Sequence, residues 1–323
     1  MIESLSIRNF KVLRDVDIVL QPLTVIVGPN ASGKTSILQS LEIVSAWLTG
    51  SSRPLLTSPN TRSRNSDGPV QIVCGVKLDE KESRFTLDLS AGDMTNQGDW
   101  MMWNYTFLNL ETKKLANPSY PKSTSLQLPS DGNGLPSILA GLRLEQPDRF
   151  LSIVNQLKAI VPSLIDIRVK QTQMDADRVG HEILFDLRGA EAIPATAVSE
   201  GTLLTLGILT ALATSDSPRL ALIDDIERGL HPKALSTYIA QLRILQEQNP
   251  ELQIIATSHS PYLLDYLKAE EVLLTSLSDD GYTTVKPLTD HPDYERWRQV
   301  LDPGEFWSTV GEDWINSEQK ATA

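Results

Sequence analysis

The chain has 323 residues, 41% hydrophobic and 22% charged, enough for one large core or one core with an inserted subdomain. Its formal charge of −12 weighs against a general basic surface for nucleic acid and opposes loose self-association, so a dimer needs specific contacts or a bridging ligand. A single cysteine, Cys74, excludes an internal disulfide and a thiol zinc cluster, and the four histidines show no metal-ligand spacing.

No apolar run approaches the roughly 20 residues of a membrane span. The first residues lack the basic-then-apolar order of a secretory signal, so the cytoplasm is the expected location and no membrane partner is expected. Strands are expected at residues 5–7, 16–20 and 23–27, the last a near-continuous apolar run suited to a strand buried on both faces. A glycine-rich turn follows, then a helical pattern at Ile37, Leu38, Leu41, Val44, Trp47 and Leu48. Residues 49–69, rich in Ser, Pro, Asn and Arg, predict a long loop. Antiparallel strands are expected at 70–73, 85–89 and 103–107, then a second loop over 117–134.

Helical spacing runs over 135–161 with a break at Pro147, and short strands are expected at 165–169 and 182–187. After Ser199, helix and strand alternate: a helix to Thr214, a strand at 220–223 and a helix from Pro232. A strand at 252–256, a short helix at 262–267 and a strand at 272–275 complete the run. Two α/β ends around a different middle predict an α/β fold with a parallel-sheet core interrupted by an insertion.

Gly28-Pro29-Asn30-Ala31-Ser32-Gly33-Lys34-Thr35 fits G-x-x-x-x-G-K-[ST] between a predicted strand and helix. Glycines in such a turn let backbone N–H groups face phosphates, and the following helix start adds its positive dipole end. ATP is the expected ligand, contacted by Asn30, Ala31, Ser32, Gly33, Lys34, Thr35 and Ser36. Lys34 should reach the β- and γ-phosphates, and the Thr35 hydroxyl should ligate Mg²⁺. A chance match in a tight turn is the bland alternative, which the strand–helix context disfavours.

Leu220-Ala221-Leu222-Ile223-Asp224-Asp225 places two acids at the end of a buried strand. Asp224 is the candidate for the metal's surroundings, and Asp225 could polarise the attacking water, with Glu227 two residues on as a further catalytic candidate. Without the phosphate loop, surface acids at a strand end would explain the pattern equally well.

Together, Asn9-Phe10-Lys11, the phosphate loop, Ser199-Glu200-Gly201-Thr202, Asp224-Asp225-Ile226-Glu227-Arg228-Gly229-Leu230-His231-Pro232 and Ala256-Thr257-Ser258-His259-Ser260-Pro261 resemble the SMC/RecF-like branch of the ABC ATPases, often labelled AAA15/AAA21 or OLD-like. The motifs follow the family's order, over residues 1–45 and 195–275. The resemblance implies an ABC ATPase-type P-loop core with an antiparallel β subdomain and an inserted helical subdomain. Within a single ABC-type ATPase over 1–323, it suggests a nucleotide-binding core from 1–48 and 195–290, an antiparallel region at 70–115 and a helical lid at 134–162. A tryptophan-rich tail over 291–323 follows.

The resemblance also implies an ATP-bridged, head-to-tail homodimer. Ser199, Gly201 and Thr202 would form the signature that meets the γ-phosphate held by the opposite subunit. Ser199 would serve equally as an ordinary helix N-cap. His259 matches the family's switch histidine, although a structural role at that turn is the alternative. Gly229-Leu230-His231-Pro232 resembles the D-loop, and His231-Pro232 also suits a plain helix start. Where the family has Glu after the strand-end Asp, this chain has Asp225, whose shorter side chain predicts slow hydrolysis.

No long heptad run points to a coiled-coil arm, and about 60 residues follow His259, too few for a TOPRIM nuclease domain. The expected role is therefore a regulatory switch for a separately encoded effector, possible in antiphage defence. A RecF-like ATPase that binds duplex DNA is the alternative, disfavoured by the acidic balance. Trp297, Trp307 and Trp314 either dock a partner or pack back on the core.

Overall fold

The computed structural model describes residues 1–49, 62–63, 68–78, 81–89, 93–95, 104–120, 126–175, 178–214 and 220–316. Most of the predicted loop at 49–69, together with Trp103 of the third predicted antiparallel strand, lies outside the described residues. Two compact units emerge: Met1–Tyr105, Arg219–Ile226 and Glu251–Ala323 make the first, and Thr106–Pro218 with Glu227–Pro250 make the second.

The first unit holds two sheets. One is antiparallel, with strands ordered Leu13–Val19, Ile2–Phe10, Gln71–Leu78, Lys81–Asp88 and Asp93–Thr95. Along Ile2–Phe10 the residues Ile2, Leu5, Ile7 and Phe10 are buried, so one face feeds the core. Cys74 lies fully buried in Gln71–Leu78, and burial pushes its thiol up to about 12.

The second sheet carries candidate site residues at one edge. Five of its six strands run in the order Thr283–Pro287, Val272–Leu277, Leu23–Val27, Gln253–Ser258 and Leu220–Ile223. Leu23–Val27 is parallel to both of its neighbours, and Gln253–Ser258 is parallel to Leu220–Ile223. Every residue of Leu23–Val27, Leu220–Ile223 and Gln253–Ser258 is buried, which is why these segments read as unbroken apolar runs. Thr24, Gln253, Thr257 and Ser258 are the polar exceptions, and the Gln253 amide is satisfied by the backbone of Ile2 at both ends, at 2.9 and 2.7 Å. Helix Lys34–Leu48 buries Ile37, Leu38, Leu41 and Val44, the stripe that its spacing predicts.

The second unit combines helices Leu135–Glu145, Pro147–Ile160, Glu200–Thr214 and Pro232–Gln248 with a three-stranded antiparallel sheet. Pro147 starts a new helix rather than kinking one, since its ring fits a first turn and its missing N–H is not needed there. The short strands expected at 165–169 and 182–187 form a longer hairpin, Leu164–Asp175 with Arg178–Leu187, to which Ala190–Pro194 adds a third strand. Among the described residues no helix is long and apolar enough to cross a membrane.

At the chain's end, the tail packs on its own unit. His291 meets the rings of Phe306 and Trp314 edge-on, at 5.0 and 4.9 Å between centroids. Asp265 accepts from the Gly304 N–H at 2.9 Å, tying helix Pro303–Val310 to the segment after His259. Trp314 thus follows the packing alternative, while Trp297 stays 37% exposed.

Candidate nucleotide site

Strand register assembles this site. Val27 pairs with Ser258, and Ile223 pairs with Ala256, so three parallel strands end together. The next residues on each strand are Gly28, His259 and Asp224, separated in sequence but emerging at one carboxyl edge.

The phosphate loop bends tightly at that edge. Gly28 has φ 150°, and a Cβ there would lie 2.3 Å from the Thr275 carbonyl oxygen, so a side chain has no space. Ala31 also takes a left-handed conformation, at φ 63°. The Thr275 hydroxyl donates to the Val27 carbonyl at 3.0 Å, which makes Ser32 the donor in the 2.6 Å contact between their hydroxyls. Gly33 precedes helix Lys34–Leu48 as its N-cap. The Lys34 side chain is buried, and its ammonium donates to the Gly28 and Pro29 carbonyls at 2.8 and 2.7 Å, across the loop it anchors. Asn30, Ala31 and Thr35 are exposed and Ser36 half-buried, so the loop presents its outer rim to solvent.

Thr35 faces Asp224, with its hydroxyl 3.2 and 3.4 Å from the two carboxylate oxygens. Hydroxyl and carboxylate oxygens are hard donors of the kind Mg²⁺ takes alongside substrate phosphates, so this pair fits the metal. No group of three His, Cys, Asp or Glu side chains placed to hold a metal exists among the described residues, and Mg²⁺ in such sites takes its other ligands from phosphates and water. Asp225 adopts φ 51°, and its carboxylate lies 3.5 Å from His259 Nε2. The first unit therefore brings Lys34, Thr35, Asp224, Asp225 and His259 to the same sheet edge.

Thr257 lies one residue past the strand expected at 252–256, inside the Ala256–Pro261 motif, and sequence reasoning gave it no role of its own. Its hydroxyl donates to Asp224 Oδ1 at 2.5 Å and accepts from the Asp225 N–H at 2.8 Å. The Thr-Ser-His order at the end of a predicted parallel strand was the available signal.

The remaining candidates lie in the second unit. Ser199 caps helix Glu200–Thr214, its hydroxyl 3.4 Å from the Thr202 N–H and 2.8 Å from the Thr202 hydroxyl. Ser199 and Glu200 are exposed, whereas Gly201 and Thr202 are buried. A Cβ on Gly201 would come within 2.0 Å of the Gly229 carbonyl oxygen, and Gly229 itself has φ 73°. Signature-like and D-loop-like segments therefore meet backbone to backbone. Arg228 reinforces them, reaching Glu200 Oε1 at 2.9 and 2.5 Å. Beside them opens a cleft of about 460 Å³ lined by Ile160, Ser199, Leu230, His231 and Lys233 among others. Glu227 lies close to the fully buried Tyr238, whose phenol is pushed above its ordinary range by burial and by the Glu227 charge. His231 caps helix Pro232–Gln248, accepting from the Lys233 N–H at 3.2 Å.

Comparisons with known proteins fit this geometry. Residues 109–265 match the family model described as AAA domain, putative AbiEii toxin, Type IV TA system, and residues 1–72 match the AAA ATPase domain. An OLD nuclease of Thermus scotoductus is 24% identical over 341 aligned positions, covering 88% of this chain. The chain spans 64% of that relative's length.

In fold, the chain is similar to an Smc head bound to the C-terminal winged-helix domain of ScpA (TM-score 0.59, 17% identity, 91% of this chain and 99% of the other). It is also similar to an Smc head with an extended coiled coil, bound to the C-terminal domain of ScpA derived from Pyrococcus furiosus (TM-score 0.58, 14% identity, 93% and 99%). Residues 1–72 and 109–265 thus match AAA ATPase family models, and the chain has the fold of a P-loop ATPase core similar to the Smc heads.

Proposed function

We propose that this ATPase is a cytoplasmic switch that closes as an ATP-bridged, head-to-tail homodimer and slowly hydrolyses the nucleotide. The observation that carries the chemistry is the cluster Thr35–Asp224–Thr257 with Asp225 3.5 Å from His259. Lys34 and the loop backbone would hold the β- and γ-phosphates, and Thr35 with Asp224 would hold Mg²⁺. The ion, when bound, neutralises charge developing on the phosphates. Asp225 orients and polarises the attacking water, while His259 steadies that water or the γ-phosphate by hydrogen bonding. Glu227, whose charge acts on the Tyr238 phenol, is the second candidate for the water.

The exposed Ser199 on a helix N-terminus supports a signature role toward a second subunit, because a hydroxyl, a glycine N–H and the helix dipole all favour an anion. The test is turnover together with mass by light scattering. Asp225→Asn should abolish turnover and stabilise an ATP-dependent dimer, and Asp225→Glu should raise turnover. A monomer under all nucleotide conditions would sink the dimer, and an active Asp225→Asn would hand the water to Glu227.

The family description that names a toxin–antitoxin system, together with the OLD nuclease relative, supports a role in controlling an effector, in a defence setting. A separately encoded effector should co-purify in an ATP-dependent manner. The second reading, direct action on duplex DNA, takes its support from the same nuclease relative. ATPase stimulation by DNA with a steep salt dependence would favour it over the effector.

A further inference from the structure

We infer that Thr257 is a positioning residue that couples the metal-side carboxylate to the water-side carboxylate, an inference resting on the ATPase reading of this site. The register puts Thr257 beside Asp224, because Ile223 pairs with Ala256 and the strands are parallel. Thr257 is fully buried, so its hydroxyl has no solvent to turn to. A hydroxyl has one proton to give, and here it goes to Asp224 Oδ1 at 2.5 Å. Its lone pair takes the Asp225 N–H at 2.8 Å.

The Thr257 carbonyl adds a third tie, accepting from the Ile226 N–H at 3.0 Å. Between these two backbone anchors Asp225 sits at φ 51°, a left-handed conformation uncommon for side-chain-bearing residues though better tolerated by aspartate than by most. That conformation sends the Asp225 carboxylate toward His259, two residues beyond Thr257. One strand end thus fixes Asp224 through a side-chain oxygen, Asp225 through its backbone and His259 through chain continuity. Removing the hydroxyl frees the Asp224 carboxylate to rotate and leaves the Asp225 N–H unmatched, disturbing both carboxylates at once.

The test compares the full-length wild type with Thr257→Val, which keeps shape and β-branching, and Thr257→Ser, which keeps the hydroxyl. Turnover, KM for ATP and melting temperature are measured, together with Mn²⁺ affinity by electron paramagnetic resonance in the presence of a non-hydrolysable ATP analogue. Thr257→Val should lower kcat and weaken Mn²⁺ binding by about 10–100-fold each, the usual effect of losing a hydrogen bond behind a metal ligand, with KM little changed. Thr257→Ser should recover most of both. Should Thr257→Val fail to fold, Thr257→Cys makes the same comparison, since a thiol is a near-isostere but a weak hydrogen-bonding group.

A folded Thr257→Val with wild-type kcat and Mn²⁺ affinity overturns the inference, as does equal impairment of the Val and Ser variants. A wild type without turnover would overturn the ATPase reading alone, because the Mn²⁺ affinities of the three proteins would still decide the role of Thr257.

Discussion

Two glycine-bearing turns, at Gly28 and at Gly201, are built on opposite plans. Around Gly28 the ties run through side chains: Lys34 to the Gly28 and Pro29 carbonyls, Ser32 to Thr275, Thr35 toward Asp224. Around Gly201 the fit is backbone on backbone against Gly229, and the polar side chains of Ser199 and Glu200 stand at the surface. A turn braced by its own side chains can hold a ligand unaided. Around Gly201 the close backbone approach leaves the side chains at the surface, paired locally (Ser199 with Thr202, Glu200 with Arg228), which suits the proposed role of Ser199 toward a second subunit.

The largest expected effect is at the first turn. Lys34→Ala should weaken ATP binding by about 100-fold in calorimetry, the worth of roughly 3 kcal/mol in charge-assisted contacts, with little change in melting temperature. Retained affinity would break the contrast, since Lys34 would then brace the loop without serving the ligand.

Gly201→Ala should behave oppositely. It forces the two backbones apart and should cost about 1–3 kcal/mol in urea unfolding, as overpacking does. ATP affinity of the monomer should stay near wild type while the nucleotide-dependent dimer is lost. Weakened ATP binding without loss of stability would place the second turn in the nucleotide-holding class instead.

Arg228→Ala sharpens the same comparison at smaller scale. The pair with Glu200 is about half-exposed on both sides, so its loss should cost at most about 1 kcal/mol and less at high salt. A larger effect on dimer formation than on melting would show that the pair shapes the turn for a partner.

Smallest is a pH effect at the tail. Burial lowers the His291 pKa below its ordinary 6.5, so the folded state resists the proton that the unfolded chain accepts. Stability from this group is present above about pH 6.5 and is lost as pH falls below that value. His291→Gln should therefore lose less melting temperature between pH 7 and pH 5.5 than the wild type does. An equal loss in both would move the acid sensitivity elsewhere.

The candidate phosphate site was legible in the sequence where chemistry and periodicity coincide. Leu220–Ile223 and Leu23–Val27 read as buried strands because both faces are covered, and the acids and glycines follow at their ends. The role of Thr257 was not legible, since a threonine just past an apolar run shows no partner until the neighbouring strand's register places Asp224 beside it. Nor was Gly201's contact with Gly229, which joins segments 28 positions apart through atoms that every residue possesses. The strands Ala190–Pro194 and Thr283–Pro287 escaped notice for a different reason: each is short and lies at the edge of its sheet, where burial imposes little alternation.

Cys74 has a practical consequence. As the chain's lone sulfhydryl, sealed in a strand and raised to about 12, it is inert toward maleimides near neutrality. A cysteine introduced at an exposed position such as Glu251 thus becomes the sole labelling handle, with no native thiol to engineer away. One dye on such a handle would allow energy transfer between two differently labelled copies to be followed in real time as nucleotide is added.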